Sequence, residues 1–420
     1  MHHPVAAIPA FHAFGMEVEY MIVSERTLDA APIAGAALEA LAGLPAPERA
    51  PLEVSRGDFG WSNEFACHVL ELKNPRVAAG LTRVAGTMDA HVAEMNQLLR
   101  ARGARLMPGG MHPWMRPKRE AVLWRYQSSA VYAAYDRIFN CRTHGWANLQ
   151  SHSLSLPFAG DAEFARLHAA VRLVLPILPA VAASSPFVEG GAAASLDARI
   201  DAYESHTAAV PSLAGMLIPE TAVSREQYTR DVLGPIYRDI SAFDPECALR
   251  HEWVNARGAI PRFDRDAIEI RLLDPQECPA ADLAIAALAT DAAHHLYRQE
   301  CAPLYEQQDI DTGTLARILF DCARDGERAR ITDAGYLRLL GYRGPACDAA
   351  TLWADLATRM TRGRSAMRAL WHGPLTHILR EGPLARRLLN SAGRAPSRQR
   401  LAEVYRALCD CLDGGRQFSA

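Results

Sequence analysis

Glu17 and Glu19 stand two apart in FGMEVEYMIV (14–23), where polar and apolar residues alternate. Phe14, Met16, Val18, Tyr20 and Ile22 take one face of a strand. The two carboxylates take the other, roughly 7 Å apart. Like charges that close raise each other's pKa unless a cation sits between them. Glu269 and Arg271 repeat the device in DAIEIRLLD (266–274), opposite a face made of Ile268, Ile270 and Leu272. Glu71, in HVLELKNP, stands among Val69, Leu70 and Leu72, so its carboxylate is expected to be half-buried and to need a partner. Glu64 precedes it by seven residues. In one unbroken strand that separation puts the two on opposite faces, so a loop or bulge must intervene for both to reach one ion. His152 lies in QSHSLSLP.

Taken singly, these residues have ordinary readings. Glu17 and Glu19 suit a solvated polar face, and His152 suits a structural strand histidine. Glu269 and Arg271 suit a cross-strand ion pair worth about 0.2–1 kcal/mol. Taken together, Glu17, Glu19, Glu64, Glu71, Glu269 and His152 are oxygen-rich with one imidazole, which suits Mg2+ or Mn2+ better than Zn2+. Carboxylates around divalent ions, with arginines near, are what holding a nucleotide triphosphate without a phosphate-binding loop requires. The ions bridge phosphate oxygens and arginine neutralises charge that develops during transfer.

Familiar motifs are missing. Lys73 and Lys118 are the two lysines, and neither follows the glycine spacing of a phosphate loop. No G-x-G-x-x-G follows a strand and no G-x-S-x-G offers a hydrolase nucleophile. His251-Glu252 begins a metalloprotease pattern, but Asn255 stands where the second histidine belongs. Nine scattered cysteines with no C-x-x-C read as free thiols of a reducing compartment, Cys409 and Cys411 as helix residues.

The elements that must position the acidic groups follow from periodicity. Strands are expected at 14–23, near 65–72, at 146–157 and at 266–274, with a short strand running into a loop over 104–117. Helices are expected at 32–44, 77–102 and 162–183, the last interrupted at Pro176 and Pro179. Beyond residue 280 the chain reads as helical: 281–304, 312–325, 350–371, 375–391 and 397–413. Strands early and helices late predict an α+β fold, not an alternating parallel sheet. Composition agrees with a folded chain of 420 residues: 49% hydrophobic and 22% charged excludes disorder as the main state. A net charge of −3 leaves no global basic field for nucleic acid or anionic lipid. The start, MHHPVAAIPAFHAFG, lacks a secretory pattern. The most apolar stretch, 171–187, carries Arg172 and three prolines and falls short of the roughly 20 apolar residues of a membrane span. A soluble, cytoplasmic protein is expected.

At these residues the chain resembles the glutamate–cysteine ligase superfamily, second type, which includes bacterial carboxylate–amine ligases. Gly15-Met16-Glu17-Val18-Glu19-Tyr20 is similar to the family's G-x-E-x-E-[FY] opening. Asn63-Glu64-Phe65-Ala66 running to Glu71-Leu72-Lys73-Asn74-Pro75 is similar to an acidic residue seven before an E-[IF]-x-T-P strand. Gly110-Met111-His112-Pro113-Trp114 is like G-T-H-P-[FW], and Gln150-Ser151-His152 with Ser155-Leu156-Pro157 resembles the metal-histidine strand. Ala183-Ser184-Ser185-Pro186-Phe187, Asp197-Ala198-Arg199 and Ile268-Glu269-Ile270-Arg271 complete the set in the family's order. Many relatives carry His-x-His where this chain has Gln150-Ser151-His152, and Asn74 and Met111 replace threonines.

The resemblance implies a glutamine-synthetase-like antiparallel, funnel-shaped sheet flanked by helices, with a catalytic domain over 1–300 and a helical extension, 301–420, packed on it. It implies an ATP- and Mg2+-dependent (or Mn2+-dependent) ligase that forms an amide, a γ-glutamyl one before others, through an acyl phosphate. Glu17, Glu19, Glu64, Glu71, His152 and Glu269 would be metal ligands. Arg271 would hold the transferring phosphate or the carboxylate, and Arg199 would contact substrate or phosphate. Substrates would be a carboxylate such as L-glutamate and an amine or amino acid, cysteine or another. No nucleic-acid or membrane partner is implied, and a homo-oligomer is compatible. Two rival readings come from other classes: a non-catalytic nucleotide-binding or regulatory protein on the same fold, and a metal-dependent hydrolase or guanidino kinase. The full set of metal-type residues argues against the first, and the lack of a dedicated nucleophile against hydrolysis.

Overall fold

The computed structural model describes residues 7–44, 51–74, 80–126, 129–360 and 365–419. The alternating segment near the start becomes β1 (Gly15–Ser24), the axis of an eight-stranded sheet. β2 (Glu53–Arg56), β3 (Phe59–Asn63) and β4 (Val69–Lys73) lie to one side, with β4 paired to Glu17–Met21. β5 (Ala104–Met107) pairs with the last four residues of β1, and β6 (His152–Pro157) with Gly15–Val18. A small ribbon, β7 (Phe187–Val188) with β8 (Gly191–Ala192), stands outside the sheet. β9 (Ala259–Arg262) and β10 (Ala267–Leu273) extend it beyond β6. Every pairing within the sheet is antiparallel, as the separation of strands from helices along the chain predicts.

The even-numbered side chains of β1, Met16 to Ile22, are buried in the main core with the helices Leu81–Arg100, Gly160–Val174 and Pro279–Tyr297. Tyr20 donates its hydroxyl to Asp282 of the last of these at 3.4 Å. The odd-numbered face is divided. Glu17 and Glu19 stay half-buried, whereas Met21 and Val23 are fully covered. Their cover is a second apolar cluster with Leu384, Leu388, Leu401 and Tyr405 from the helices Leu384–Ala392 and Arg398–Asp413. Arg105 of β5 clamps that C-terminal helix through Asp410 at 2.9 Å and Asp413 at 2.5 Å. Arg387 and Glu277 form a buried pair at 2.7 Å.

Several boundaries differ from expectation. The strand expected near 65–72 begins only at Val69, as β4, because 64–68 are the link from β3, and the short strands β2, β3 and β9 carry no alternation long enough to announce them. Residues 144–147 are helical, so β6 starts only at His152. The helix expected at 375–391 breaks at Gly382, which adopts φ 90° ahead of Pro383, a conformation glycine takes without strain. Pro75, residues 77–79 and residues 361–364 lie outside the described residues. Among the described residues no helix is long and apolar enough to cross a membrane.

Candidate active site

Strand register assembles the acidic groups. Glu19 lies directly opposite Glu71, and Glu17 opposite Lys73 on one side and Ser153 on the other. Residues paired across a ladder share a face, and Glu269, opposite Ser155, joins the same one. Glu64 leaves β3 in the link to β4, which resolves the seven-residue separation: the turn returns its carboxylate to that face. Glu19, Glu64 and Glu71 offer oxygens that all lie within 4.8 Å of one another.

Such crowding shifts protonation. Glu17 is held well above the usual carboxylate range, first by the charge of Glu71, then by burial and Glu269. Burial, then Glu71, pushes Glu19 up to about 7, although the Ser151 amide and hydroxyl both donate to it, at 2.9 and 2.8 Å. Burial raises Glu64 well above normal, reinforced by Glu19 and Glu71. Two cations already stand at the edge of the cluster: Lys73 Nζ lies 3.0 Å from Glu71 and 3.5 Å from Glu53, and Arg265 Nη1 lies 3.9 Å from Glu17.

Glu269 behaves oppositely. Burial opposes its charge, yet Arg271 at 2.6 Å and Arg262 at 3.0 Å hold its carboxyl below the usual range. Arg199 donates to the Arg271 carbonyl at 3.2 Å and pairs with Asp274. Asp274, at the end of β10, also accepts from the Ser184 amide at 2.8 Å and the Ser185 hydroxyl at 2.9 Å. A Cβ on Gly110 would come within 2.5 Å of its carboxylate, so that position needs glycine. Three of the short motifs seen in the sequence therefore converge on one buried aspartate. Its signal was a charged residue directly after the buried Leu272-Leu273.

Glu17, Glu19, Glu64, Glu71 and Glu269 line a cleft of about 390 Å3 with Lys73, Arg199, Arg262 and Arg271, and Asp274 lies behind it. Acidic residues and arginines lie along it, and Tyr132, Tyr135, Trp146 and Trp253 add aromatic walls. Arg199 and Arg271 both reach it. None of its lining comes from beyond Arg271, so among the described residues the helical tail does not contribute.

His152 is a correction. It pairs with Val18, hence points to the opposite face, where it is fully buried with Nδ1 3.7 Å from Asp282. Burial lowers its pKa to about 3, so it is neutral. It is not brought to the carboxylates; Ser151 and Ser153 stand on the cleft side instead. His112 of the Gly-Met-His-Pro segment is likewise structural, with Nε2 2.9 Å from the Leu28 carbonyl and Nδ1 accepting from the Met115 amide at 3.1 Å. Lys73, Arg262 and Asp274 were not singled out from the sequence as site residues.

The model of glutamate–cysteine ligase family 2 matches residues 13–407. The chain belongs to that family. It is thereby an ATP-dependent carbon–nitrogen ligase. The match runs through most of the helical tail, for which the short motifs had no counterpart. An uncharacterized protein of Archaeoglobus fulgidus is 35% identical over 273 residues, covering 65% of this chain and 72% of its own. The fold is also similar to the crystal structure of glutamate–cysteine ligase from Francisella tularensis in complex with AMP. That likeness has a TM-score of 0.58 at 10% identity and covers 97% of this chain and 90% of the other.

Proposed function

We propose that the protein joins a carboxylate, L-glutamate first among candidates, to an amine or amino acid, with ATP cleaved to ADP and phosphate by way of an acyl phosphate. The observation that carries this is the opposition of charge in one cleft: Glu17, Glu19, Glu64 and Glu71 along one side, Arg271, Arg262 and Arg199 along another. Carboxylates that raise one another's pKa are a poor resting arrangement without a cation and a good donor set for Mg2+ or Mn2+. Glu17, Glu19, Glu64 and Glu71 would hold the ions, with Glu269 beside them; bound there, the ions would neutralise phosphate charge. Arg271, fixed by Glu269 and by the Asn255 carbonyl at 3.3 Å, would steady the transferring phosphoryl group or the acid. Arg199 would act from behind it, set by Asp274. Activation by phosphorylation turns the acid's carboxylate oxygen into a leaving group, and the amine nitrogen then displaces phosphate.

Residues 1–300 would carry these steps, with 301–420 as a covering extension. The test is phosphate release from Mg-ATP with L-glutamate against a panel of amines and amino acids, with products weighed by mass spectrometry. Release that requires one amine, with a product one water lighter than the two reactants, supports the ligase. Release that ignores every amine contradicts it. ATP binding without turnover across all acids and amines contradicts it as well.

A further inference from the structure

Away from the cleft, the end of the helix Pro279–Tyr297 gathers a second constellation. Cys301 Sγ lies 3.2 Å from His295 Nε2, and His295 Nδ1 lies 3.1 Å from a Glu300 oxygen. Arg298 holds the other Glu300 oxygen at 2.8 Å. Arg359, from the helix Ala349–Met360, brings Nη1 to 3.3 Å from the same sulfur and is anchored by Asp355 at 2.6 Å. Gly341 closes over the group with φ 77°, and a Cβ there would stand 2.6 Å from Sγ. The backbone packs against the thiol at a place only glycine fits.

The order of groups is that of an activated nucleophile: thiol, imidazole, carboxylate. Burial lowers the pKa of His295, so the ring is neutral near pH 7. With its Nδ1 proton donated to Glu300, Nε2 is left as the acceptor for the thiol proton. Burial also pushes the Cys301 thiol up against the pull of Arg359, so the sulfur rests protonated and depends on that base. The other cysteines differ. Seven are buried, and Cys247 is exposed, among the described residues without an imidazole partner.

We propose that Cys301 is an oxidation site, where a small hydroperoxide converts the thiol to a sulfenic acid with His295 as proton acceptor. Sulfur attacks the terminal peroxide oxygen, an S–O bond forms and the O–O bond breaks. The thiol proton passes through His295 Nε2 to the departing alkoxide or hydroxide, giving alcohol or water. Sulfur is oxidised by two electrons and the peroxide is reduced by two. Arg359 steadies negative charge on sulfur as the proton leaves. The half-buried setting beneath Gly341 restricts the reagent to small molecules.

The test treats the intact, reduced protein with hydrogen peroxide and a 1,3-dione that traps sulfenic acids, and follows each cysteine peptide by mass spectrometry. Cys301 should be trapped at least about tenfold faster than Cys247, in keeping with general-base assistance. His295→Gln should slow Cys301 by at least about tenfold and leave Cys247 unchanged. Trapping at Cys247 as fast as at Cys301, or an unchanged Cys301 rate in His295→Gln, overturns the assignment. If His295→Gln unfolds, the buried Cys278 and Cys322 become reactive. Glu300→Gln, a change at a partly exposed side chain, then decides: a slower Cys301 supports the proposal and an unchanged rate overturns it.

Discussion

The odd-numbered residues of β1 all point one way, but they meet two different environments. Glu17 and Glu19 open onto a polar cleft and are destabilised by their own neighbours. Met21 and Val23, one turn of the pleat further on, are sealed under Leu388, Leu401 and Tyr405 of the C-terminal helices. The same backbone thus carries a site whose charges oppose folding and a seam whose apolar area drives it. The second half holds the strand straight and in register while the first half accommodates repulsion. A comparable contrast exists inside the cleft, because Glu269 is neutralised by two arginines whereas Glu17, Glu19 and Glu64 all face the charge of Glu71.

Substitutions separate these regions. Glu19→Gln should lower turnover by at least about a thousandfold, the scale of losing a principal electrostatic contribution, while the metal-free protein melts no lower than wild type. An unaltered rate would remove Glu19 from the site. Glu269→Gln should instead destabilise the fold by about 3–5 kcal/mol, because Arg262 and Arg271 lose their shared counter-charge in a buried setting. Urea unfolding of the two variants side by side gives opposite signs if the contrast is real. In the seam, Leu388→Ala or Leu401→Ala should cost about 2–5 kcal/mol as a cavity opens. The folded fraction should keep its KM for ATP, since neither side chain lines the cleft.

Linkage gives a smaller effect with a definite sign. Glu19 has a folded pKa near 7, above its unfolded value, so the native state binds extra protons between about pH 4.3 and 7. Stability in chelator should therefore fall as pH rises through that window. Mg2+ should restore it more at pH 7.5 than at pH 5, and Glu19→Gln should flatten both trends. Calorimetric melting at several pH values reads this directly. The smallest effect belongs to His152→Asn. It sits behind the sheet, so the Mg2+ dependence of turnover should stay within about threefold of wild type, a shift below 1 kcal/mol.

Much of this arrangement is written in alternation. Ten residues of β1 and seven of β10 are long enough for the pattern to separate Glu17, Glu19 and Glu269 from the aliphatic face. The same rule, applied to β6, already put His152 with Leu154 and Leu156 and the serines with the carboxylates. The likeness to a metal-histidine strand drew attention to the residue type and away from its parity. Lys73 shares parity with Glu71 in the same way. Met21 and Val23, apolar at polar positions, were a sign that something must cover that half of the face. Which segment does so depends on contacts between residues 381 apart in sequence, such as Arg406 donating to the Glu25 carbonyl at 2.8 Å, and no local pattern encodes them. β2, β3 and β9 were missed because four or five residues with no clear alternation give periodicity nothing to read.

If the first half of the odd-numbered face of β1 is a cation site, as proposed, Glu19 is indispensable to it and His152 is not. Electron paramagnetic resonance titration of Mn2+ in the presence of ATP tests it, with wild type, Glu19→Gln and His152→Asn compared. Glu19→Gln should lose the bound-ion signal while His152→Asn keeps it. Equal Mn2+ binding by Glu19→Gln and wild type, or loss in His152→Asn alone, would contradict it.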